Sequence, residues 1–317
     1  MVEPGVPTRL RAAASVCRPT VDPNRTVDHL VEFLAGYRAS ADADGYVVGV
    51  SGGVDSAVAV TLAARAVDPD RVIGLRLPAG PSDPANVADA RDLCARLGVD
   101  GRDIDVAPLV SAVRAGYDAG TDLDRLTVGN LQARLRAVVC YLAANEANHL
   151  VLGTTNRSEY LLGYFTKYGD GAADLRVLAD HYKTEVYELA RTLGLDGFAA
   201  KTPSAELWAD QTDEGELGVS YRTVDPILRS LVDEGRSVAE TTRRVDADGE
   251  TVRRFAAMVA ATEHKRTLPP TPGRVRASTE SVPRTPPDRA SRPLPRPPAL
   301  AFAPRDSRRR RGSRSAR

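Results

Sequence analysis

The chain holds 317 residues, enough for one large α/β domain or two small ones, and its 42% apolar and 5% aromatic content predicts an aliphatic core. Its formal charge of +1 is a cancellation, because residues 271–317 carry 13 Arg, no Lys and three acids (Glu280, Asp288, Asp306) for a net +10, which leaves residues 1–270 at −9. Three scattered cysteines (Cys17, Cys94, Cys140) exclude a disulfide framework and a Cys-rich zinc site and suit a reducing, cytoplasmic compartment, while no apolar run approaches the roughly 18 residues of a membrane span.

Residues 1–23, with Pro4, Pro7, Pro19 and Pro23, read as an irregular N-terminal extension. Val27, Leu30, Val31 and Leu34 recur at helical spacing and predict a helix over Thr26–Tyr37. Tyr46–Val50 is a short apolar run suited to a strand buried on both faces, followed by a Gly-containing turn and a small-residue helix from Asp55 to Val67. Val72–Leu77 predicts a second strand, Asn86–Leu97 a helix closed by Gly98, and Ile104–Val106 a third strand. A long helix is expected over Thr127–Glu146, with Leu131, Leu135, Val138, Val139 and Leu142 as its apolar stripe and Arg134 off that stripe. His149–Leu152 predicts a fourth strand and Tyr182–Leu193 a helix closed by Gly194, with further helices near 223–234 and 248–263. Strands alternating with helices predict a doubly wound parallel sheet, an α/β Rossmann-like single domain over residues 24–268. Beyond residue 270, nine prolines and the Arg308–Arg311 run, with almost no aliphatic periodicity, predict a disordered Pro/Arg-rich tail over 271–317.

The sharpest motif is Gly49–Ser56 (GVSGGVDS), directly after the first strand. Gly52 and Gly53 allow a tight turn whose successive N–H groups face an anion, and the helix that begins there adds its positive dipole end. Ser51 and Ser56 can donate hydroxyls to phosphate, and Asp55 can hold a divalent cation that bridges it. No Lys follows, so this is not the GxxxxGK[ST] loop, and it is not GxGxxG. A plain Gly/Ser turn with Asp55 as a helix-start residue is the modest alternative. SGGxDS after an apolar strand resembles the pyrophosphate loop of the ATP pyrophosphatase (adenine nucleotide α-hydrolase-like) superfamily, whose members cleave ATP to AMP and pyrophosphate.

Leu152–Asp174 (LGTTNRSEYLLGYFTKYGDGAAD), Tyr182-Lys183-Thr184, Pro203–Gly218 (PSAELWADQTDEGELG) and Glu263-His264-Lys265 follow, with Gly129–Arg134 (GNLQAR) upstream. Together with the loop they resemble the NAD synthetase family in its small, ammonia-dependent form, over about residues 24–268. The resemblance implies ATP- and Mg²⁺-dependent amidation of deamido-NAD to NAD, the last step of NAD biosynthesis. An acyl-adenylate forms, pyrophosphate leaves, and ammonia expels AMP. It implies ATP binding by Gly49, Val50, Ser51, Gly52, Gly53, Val54, Asp55, Ser56, Thr154, Lys183 and Ser204, with Ser204 standing where the family often has Thr. It implies Mg²⁺ on Asp55 and Glu159, catalytic roles for Asp55 and Lys183, and deamido-NAD binding by Arg134, Lys167, Asp174, His264 and Lys265. It also implies a cytoplasmic homodimer.

Plainer readings stand beside these roles: Glu159 as a first-turn helix acid, Lys183 as an exposed helix lysine, Arg134 as a solvated helix arginine. Only four lysines occur in the chain, and three of them fall on motif positions, which weakens the plain reading. Ala172 replaces a glycine common in the family's GDGGAD stretch, and the tail begins where the family's chain finishes, as a frameshifted or read-through end would. A glutamine-dependent form would need an amidase domain for which 317 residues leave no room. The rival readings are another ATP pyrophosphatase (GMP-synthetase-like or tRNA-modifying), a nucleotide binder that has lost catalysis, and nucleic-acid binding through the tail. The acidic body argues against specific nucleic-acid recognition.

Overall fold

β-Branched and aliphatic runs become the centre of one sheet. In the computed structural model, which describes residues 22–79, 83–117, 123–204 and 211–271, five parallel strands lie in the order β3-β2-β1-β4-β5. β1 (Gly45–Gly49) is the middle strand, with Val47 in register with Ile73 of β2 (Val72–Arg76) and with Val151 of β4 (His149–Gly153). β3 (Asp100–Asp103) and β5 (Leu175–Arg176) form the edges.

The helices alternate with the strands as expected for parallel crossovers. α1 (Pro23–Ser40), α2 (Val54–Ala66) and α7 (Lys183–Thr192) cover one face, where Leu34, Tyr46, Val48, Val58, Leu62 and Val186 pack. The Tyr46 hydroxyl donates to the Leu34 carbonyl at 2.6 Å, and burial pushes its pKa up to about 12. α3 (Pro84–Leu97) and α4 (Ala107–Gly116) follow β2 and β3, and α5 (Arg125–Ala147) covers the opposite face with Val139, Cys140, Ala143 and Ala144 against Val47, Ile73, Leu75 and Val151. A separate apolar cluster joins α6 (Arg157–Leu162), α10 (Tyr221–Leu228) and α12 (Gly249–Ala261) through Leu161, Leu162, Ile227 and Phe255. The short helices α8 (Asp196–Ala199), α9 (Asp213–Leu217), α11 (Val238–Thr242) and α13 (Glu263–Arg266) complete the α-helices of the described residues. α13 is pinned by Arg266, which donates to the carbonyls of Leu161 and Val259.

Three expectations need correction, and one strand was not anticipated. α1 begins at Pro23 rather than Thr26, because Asp22 caps it and Pro23 sits at the first turn, where its missing N–H has no partner to lose. The third strand is Asp100–Asp103, not Ile104–Val106; as an edge strand it carries charged residues that protect its free side, and the apolar segment after it only trails along β2, Ile104 N–H to the Arg76 carbonyl. β5 is two residues long and gave no sequence signal. The stripe expected to face the core in α5 is rotated: Val138 and Leu142 are 61% and 67% exposed, and small side chains take the core face. The expected N-terminal extension before residue 22 and the tail beyond residue 271 lie outside the described residues.

Candidate active site

In a parallel sheet, ligands bind at the carboxyl ends of the strands where the strand order reverses. Here the chain runs outward from β1 to β3 and then returns to β4 on the other side, so the crevice lies between the ends of β1 and β4. The Gly49–Ser56 segment leaves β1 there and Thr154–Glu159 leaves β4 there.

The loop is pre-formed. The Ser56 hydroxyl donates to the Gly53 carbonyl at 3.0 Å and accepts the Ser51 N–H at 3.2 Å, closing the turn from inside. Gly52 has φ +90°, and a Cβ there would lie 2.2 Å from the Asn86 carbonyl oxygen, so only glycine fits. Asp55 lies in the first turn of α2, whose dipole favours its charge.

Asp55, Glu159 and Lys183 converge. The Lys183 ammonium, 3% exposed, is ion-paired with Asp55 and lies 3.4 Å from a Glu159 oxygen. Burial acts to lower the Lys183 pKa, and the charges of Asp55, Glu159 and Asp213 together outweigh it, so the ammonium is held above its ordinary value. Burial, reinforced by the Asp55 charge and only partly offset by Lys183, pushes Glu159 up to about 8. Asp213 accepts the Tyr221 hydroxyl at 2.9 Å through one oxygen, while its other oxygen is buried without a hydrogen-bond partner. Three carboxylates thus share one ammonium, an excess of negative charge that a further cation would relieve.

Sequence reasoning passed over the residue that joins the two strand ends. Asn156, fully buried, donates from its side-chain nitrogen to Asp55 at 2.8 Å. Its side-chain oxygen accepts the Glu159 N–H at 3.0 Å, and Glu159 reaches back to the Asn156 N–H at 3.2 Å, a capping box at the start of α6. The spacing Asn156 to Glu159 was the available signal. Behind the cluster, Ser158 donates to Asp225 at 2.6 Å and accepts the Lys183 N–H at 2.9 Å, and Asp225 also accepts both donors of Thr184. The starts of α6 and α7 are therefore locked to α10.

The second set of expected residues is gathered around the 163–174 loop. Lys167 donates to the His264 carbonyl at 2.6 Å, and Lys265 donates to the Gly163 and Phe165 carbonyls at 2.8 and 3.0 Å. Gly163 has φ +64° and a Cβ there would meet Thr262 at 2.3 Å, which explains how α13 lies so close. Tyr168 takes φ +63°, a strained conformation for a non-glycine residue, and its ring lies 5.3 Å from the Lys167 ammonium. Phe165 stacks on Tyr160 with centroids 6.0 Å apart. Asn130 of α5 accepts the Thr166 hydroxyl at 2.7 Å, and Arg134, one turn later, is exposed on the same helix. Asp174, directly before β5, accepts the Val151 N–H at 2.7 Å, which places it beside the middle of β4. Thr154 follows β4 directly, and Ser204 lies three residues beyond Lys201, which itself contacts the phosphate loop.

Fold and site define a class: a single-sheet α/β enzyme with a glycine-rich phosphate loop and a buried Asp/Glu/Lys cluster at its topological switch point. The sequence model of the NAD synthase family matches residues 26–269. The NH(3)-dependent NAD(+) synthetase of Methanosarcina acetivorans is 42% identical over 254 residues, 80% of this chain and 99% of that protein, and that of Pyrococcus furiosus is 43% identical over 246 residues, 77% and 93%. Among solved structures, an NMN synthetase from Francisella tularensis matches with a TM-score of 0.71 and 34% identity over 80% of this chain and 99% of that one. The NH3-dependent NAD synthetase from Campylobacter jejuni matches with a TM-score of 0.67 and 28% identity over 79% and 99%. The chain belongs to the NAD synthase family.

Proposed function

We infer that the crevice between β1 and β4 holds ATP, with the triphosphate on Gly49–Ser56 and the deamido-NAD carboxylate brought to its α-phosphorus from the 163–174 side. The protein is a carbon–nitrogen ligase that amidates deamido-NAD to NAD with ammonia, the last step of NAD biosynthesis. The observation that carries the site assignment is the buried Asp55–Lys183–Glu159 cluster at the mouth of the phosphate loop.

A carboxylate is a poor acyl donor. Its oxygen attacks the α-phosphorus and the bond to pyrophosphate breaks, giving an acyl-adenylate; ammonia then attacks the acyl carbon, loses a proton, and AMP leaves. The chain's part is electrostatic and positional. Loop N–H groups and the α2 dipole hold phosphate oxygens, and the Lys183 ammonium offsets charge that builds on the departing pyrophosphate. Thr154 and Ser204 flank the nucleotide from the β4 end and from the segment beside the loop. Arg134, Lys167, Asp174, His264 and Lys265 hold deamido-NAD.

Asp55 and Glu159 suit a divalent cation with oxygen preference, since two carboxylates completed by substrate phosphates are the usual Mg²⁺ arrangement. The excess of carboxylates over ammonium in the cluster supports this. When bound, Mg²⁺ supplies charge neutralisation at the phosphates.

The same reading includes a homodimer, supported by exposed apolar residues on α4 (Leu109, Val113) and α5 (Val138, Leu142) beside Arg134. It also includes a cytoplasmic location, where ATP is plentiful; no helix of the described residues is long and apolar enough to cross a membrane. The catalytic unit is residues 24–268, supported by the family match ending at 269.

The test is direct. With ATP, Mg²⁺, deamido-NAD and ammonium the protein is expected to form NAD, AMP and pyrophosphate in equal amounts, with activity abolished by EDTA and restored by added Mg²⁺; ADP in place of AMP would overturn the reading. The likeness to an NMN synthetase favours a second acceptor, the mononucleotide carboxylate, and competition between the two substrates in the same assay decides which is preferred.

A further inference from the structure

Of the four lysines, the one that falls on no motif position, Lys201, has three acceptors around one nitrogen. Lys201 donates to the Gly52 carbonyl at 2.8 Å and to the Asn86 side-chain oxygen at 2.6 Å, and it is ion-paired with Asp89 at 2.6 Å. An ammonium has three hydrogens, so these contacts use them all. Asn86 and Asp89 lie on α3 one turn apart, and the Lys201 ammonium also lies 4.9 Å from the ring centre of Phe198 at the end of α8. Lys201 therefore joins three segments that are far apart in sequence: the phosphate loop, the first turns of α3, and the 201–204 stretch that ends on Ser204.

The consequence lies in one peptide unit. A trans peptide is planar, and its C=O and N–H point in opposite directions. With the Gly52 carbonyl turned outward onto Lys201, the Gly53 N–H must point to the inside of the loop, where it lies 3.3 Å from the Ser51 hydroxyl. Beyond that long Ser51 contact the glycines themselves do not fix the orientation, because residues without a Cβ pass between φ/ψ regions at little cost. We propose that Lys201 is a positioning residue for the phosphate site: by holding the Gly52 carbonyl outward it presents the Gly53 N–H to the pyrophosphate portion of ATP. This rests on the ATP reading of the loop. When the lysine is absent the peptide is free to turn its carbonyl inward, replacing an anion-binding donor with an acceptor.

The test compares Lys201→Met with the unaltered protein by steady-state kinetics for each substrate and by product inhibition. Lys201→Met is expected to raise KM for ATP and the inhibition constant of pyrophosphate together, by about tenfold, while KM for deamido-NAD stays within about twofold. A KM for ATP within twofold of the unaltered protein overturns the proposal. So does an equal rise for both substrates, the sign of general loosening. Asp89→Asn removes the ion pair and keeps the carbonyl bond, and is expected to leave KM for ATP within about twofold; a rise matching that of Lys201→Met would make the ion pair the cause and overturn the proposal. Should Lys201→Met not fold, Asn86→Ala, which keeps Lys201 but removes one of its acceptors, is expected to raise the pyrophosphate inhibition constant a fewfold, and no rise overturns the proposal. If the unaltered protein makes no AMP and pyrophosphate at all, the ATP reading itself has failed.

Discussion

The two halves of the site are built differently. On the proposed phosphate side, Lys183 and Asn156 are buried, Asp55 and Glu159 half-buried, and the four are bound to one another, while a second layer of Ser158, Thr184 and Asp225 fixes the helix starts that carry them. On the proposed dinucleotide side, Arg134 and His264 are exposed, Lys167 and Lys265 are tied mainly to backbone carbonyls, and the neighbouring face of α5 presents Val138 and Leu142 to solvent. The first half is organised before any ligand arrives, which suits groups that must meet developing charge without reorganising. The second half is a set of separate handles on α5, the 163–174 loop and α13, open on the side where the apolar face of α5 continues. In the proposed reading, one folded chain supplies the groups for the chemistry, and a second copy covering that face completes the binding of the long substrate.

Asp55→Ala makes the sharpest break, because it removes a carboxylate on which Lys183, Asn156 and the proposed cation all converge. Turnover is expected to fall at least a hundredfold, about 2.7 kcal/mol of lost transition-state stabilisation, with KM for deamido-NAD little changed. A loss below tenfold in a folded variant would show that the buried cluster is structural, and the contrast between the halves would collapse. Asn156→Ala is the next step down. It leaves both carboxylates but removes the group that spaces them, and also a helix cap worth about 1 kcal/mol. We expect turnover reduced by about tenfold to a hundredfold, together with a melting temperature lowered by a few degrees; a lowered melting temperature with full turnover would assign Asn156 to stability alone.

The sequence already carried most of the phosphate half and little of the rest, for physical reasons. A glycine-rich turn between an apolar strand and a helix is a local event, so Gly49–Ser56 and the flanking β1 and α2 could be read from adjacent residues. Glu159 and Lys183 could be placed only through a family resemblance, since 24 and 128 residues separate Lys183 from Glu159 and Asp55 and no local pattern joins them. Asn156 went unread: its spacing to Glu159 could signal a helix cap, but nothing local marks it as a partner of Asp55, which lies 101 residues away. Lys201 carried no motif; its three acceptors come from two distant segments. The α5 stripe was misplaced because periodicity reports where apolar residues lie on a helix, not which side faces the sheet. There the close approach to β1 and β4 takes Ala143, Ala144 and Cys140, leaving the larger Val138 and Leu142 outside. β3 was displaced by the same limitation: an edge strand is free to be polar, and Asp100-Gly101-Arg102-Asp103 has no apolar run to read.

Charging the exposed face tests the second half. Val138→Asp with Leu142→Asp alters no residue of the phosphate cluster, so the fold and the site around Lys183 are expected to persist while a dimer, measured by sedimentation, dissociates. KM for deamido-NAD is then expected to rise about fivefold to tenfold with KM for ATP nearly unchanged. A dimer that survives both charges would locate the interface elsewhere and remove the explanation for the open half.

The smallest expected effect concerns the tail. Residues 271–317 bring 13 arginines to an otherwise acidic chain, and a dinucleotide carrying two phosphates is the kind of ligand such a segment could attract at low salt. If the open half borrowed its missing groups from the tail instead of from a second copy, deleting 271–317 would raise KM for deamido-NAD, and the rise would fade as salt is added. We expect neither: KM and turnover stay within about twofold of the full chain at low and high salt alike, and any retention on a nucleic-acid column disappears with the tail. The reason is the position of Lys167 and Lys265, both held by carbonyls within the body, so that the cations of the proposed deamido-NAD site are in place before residue 271.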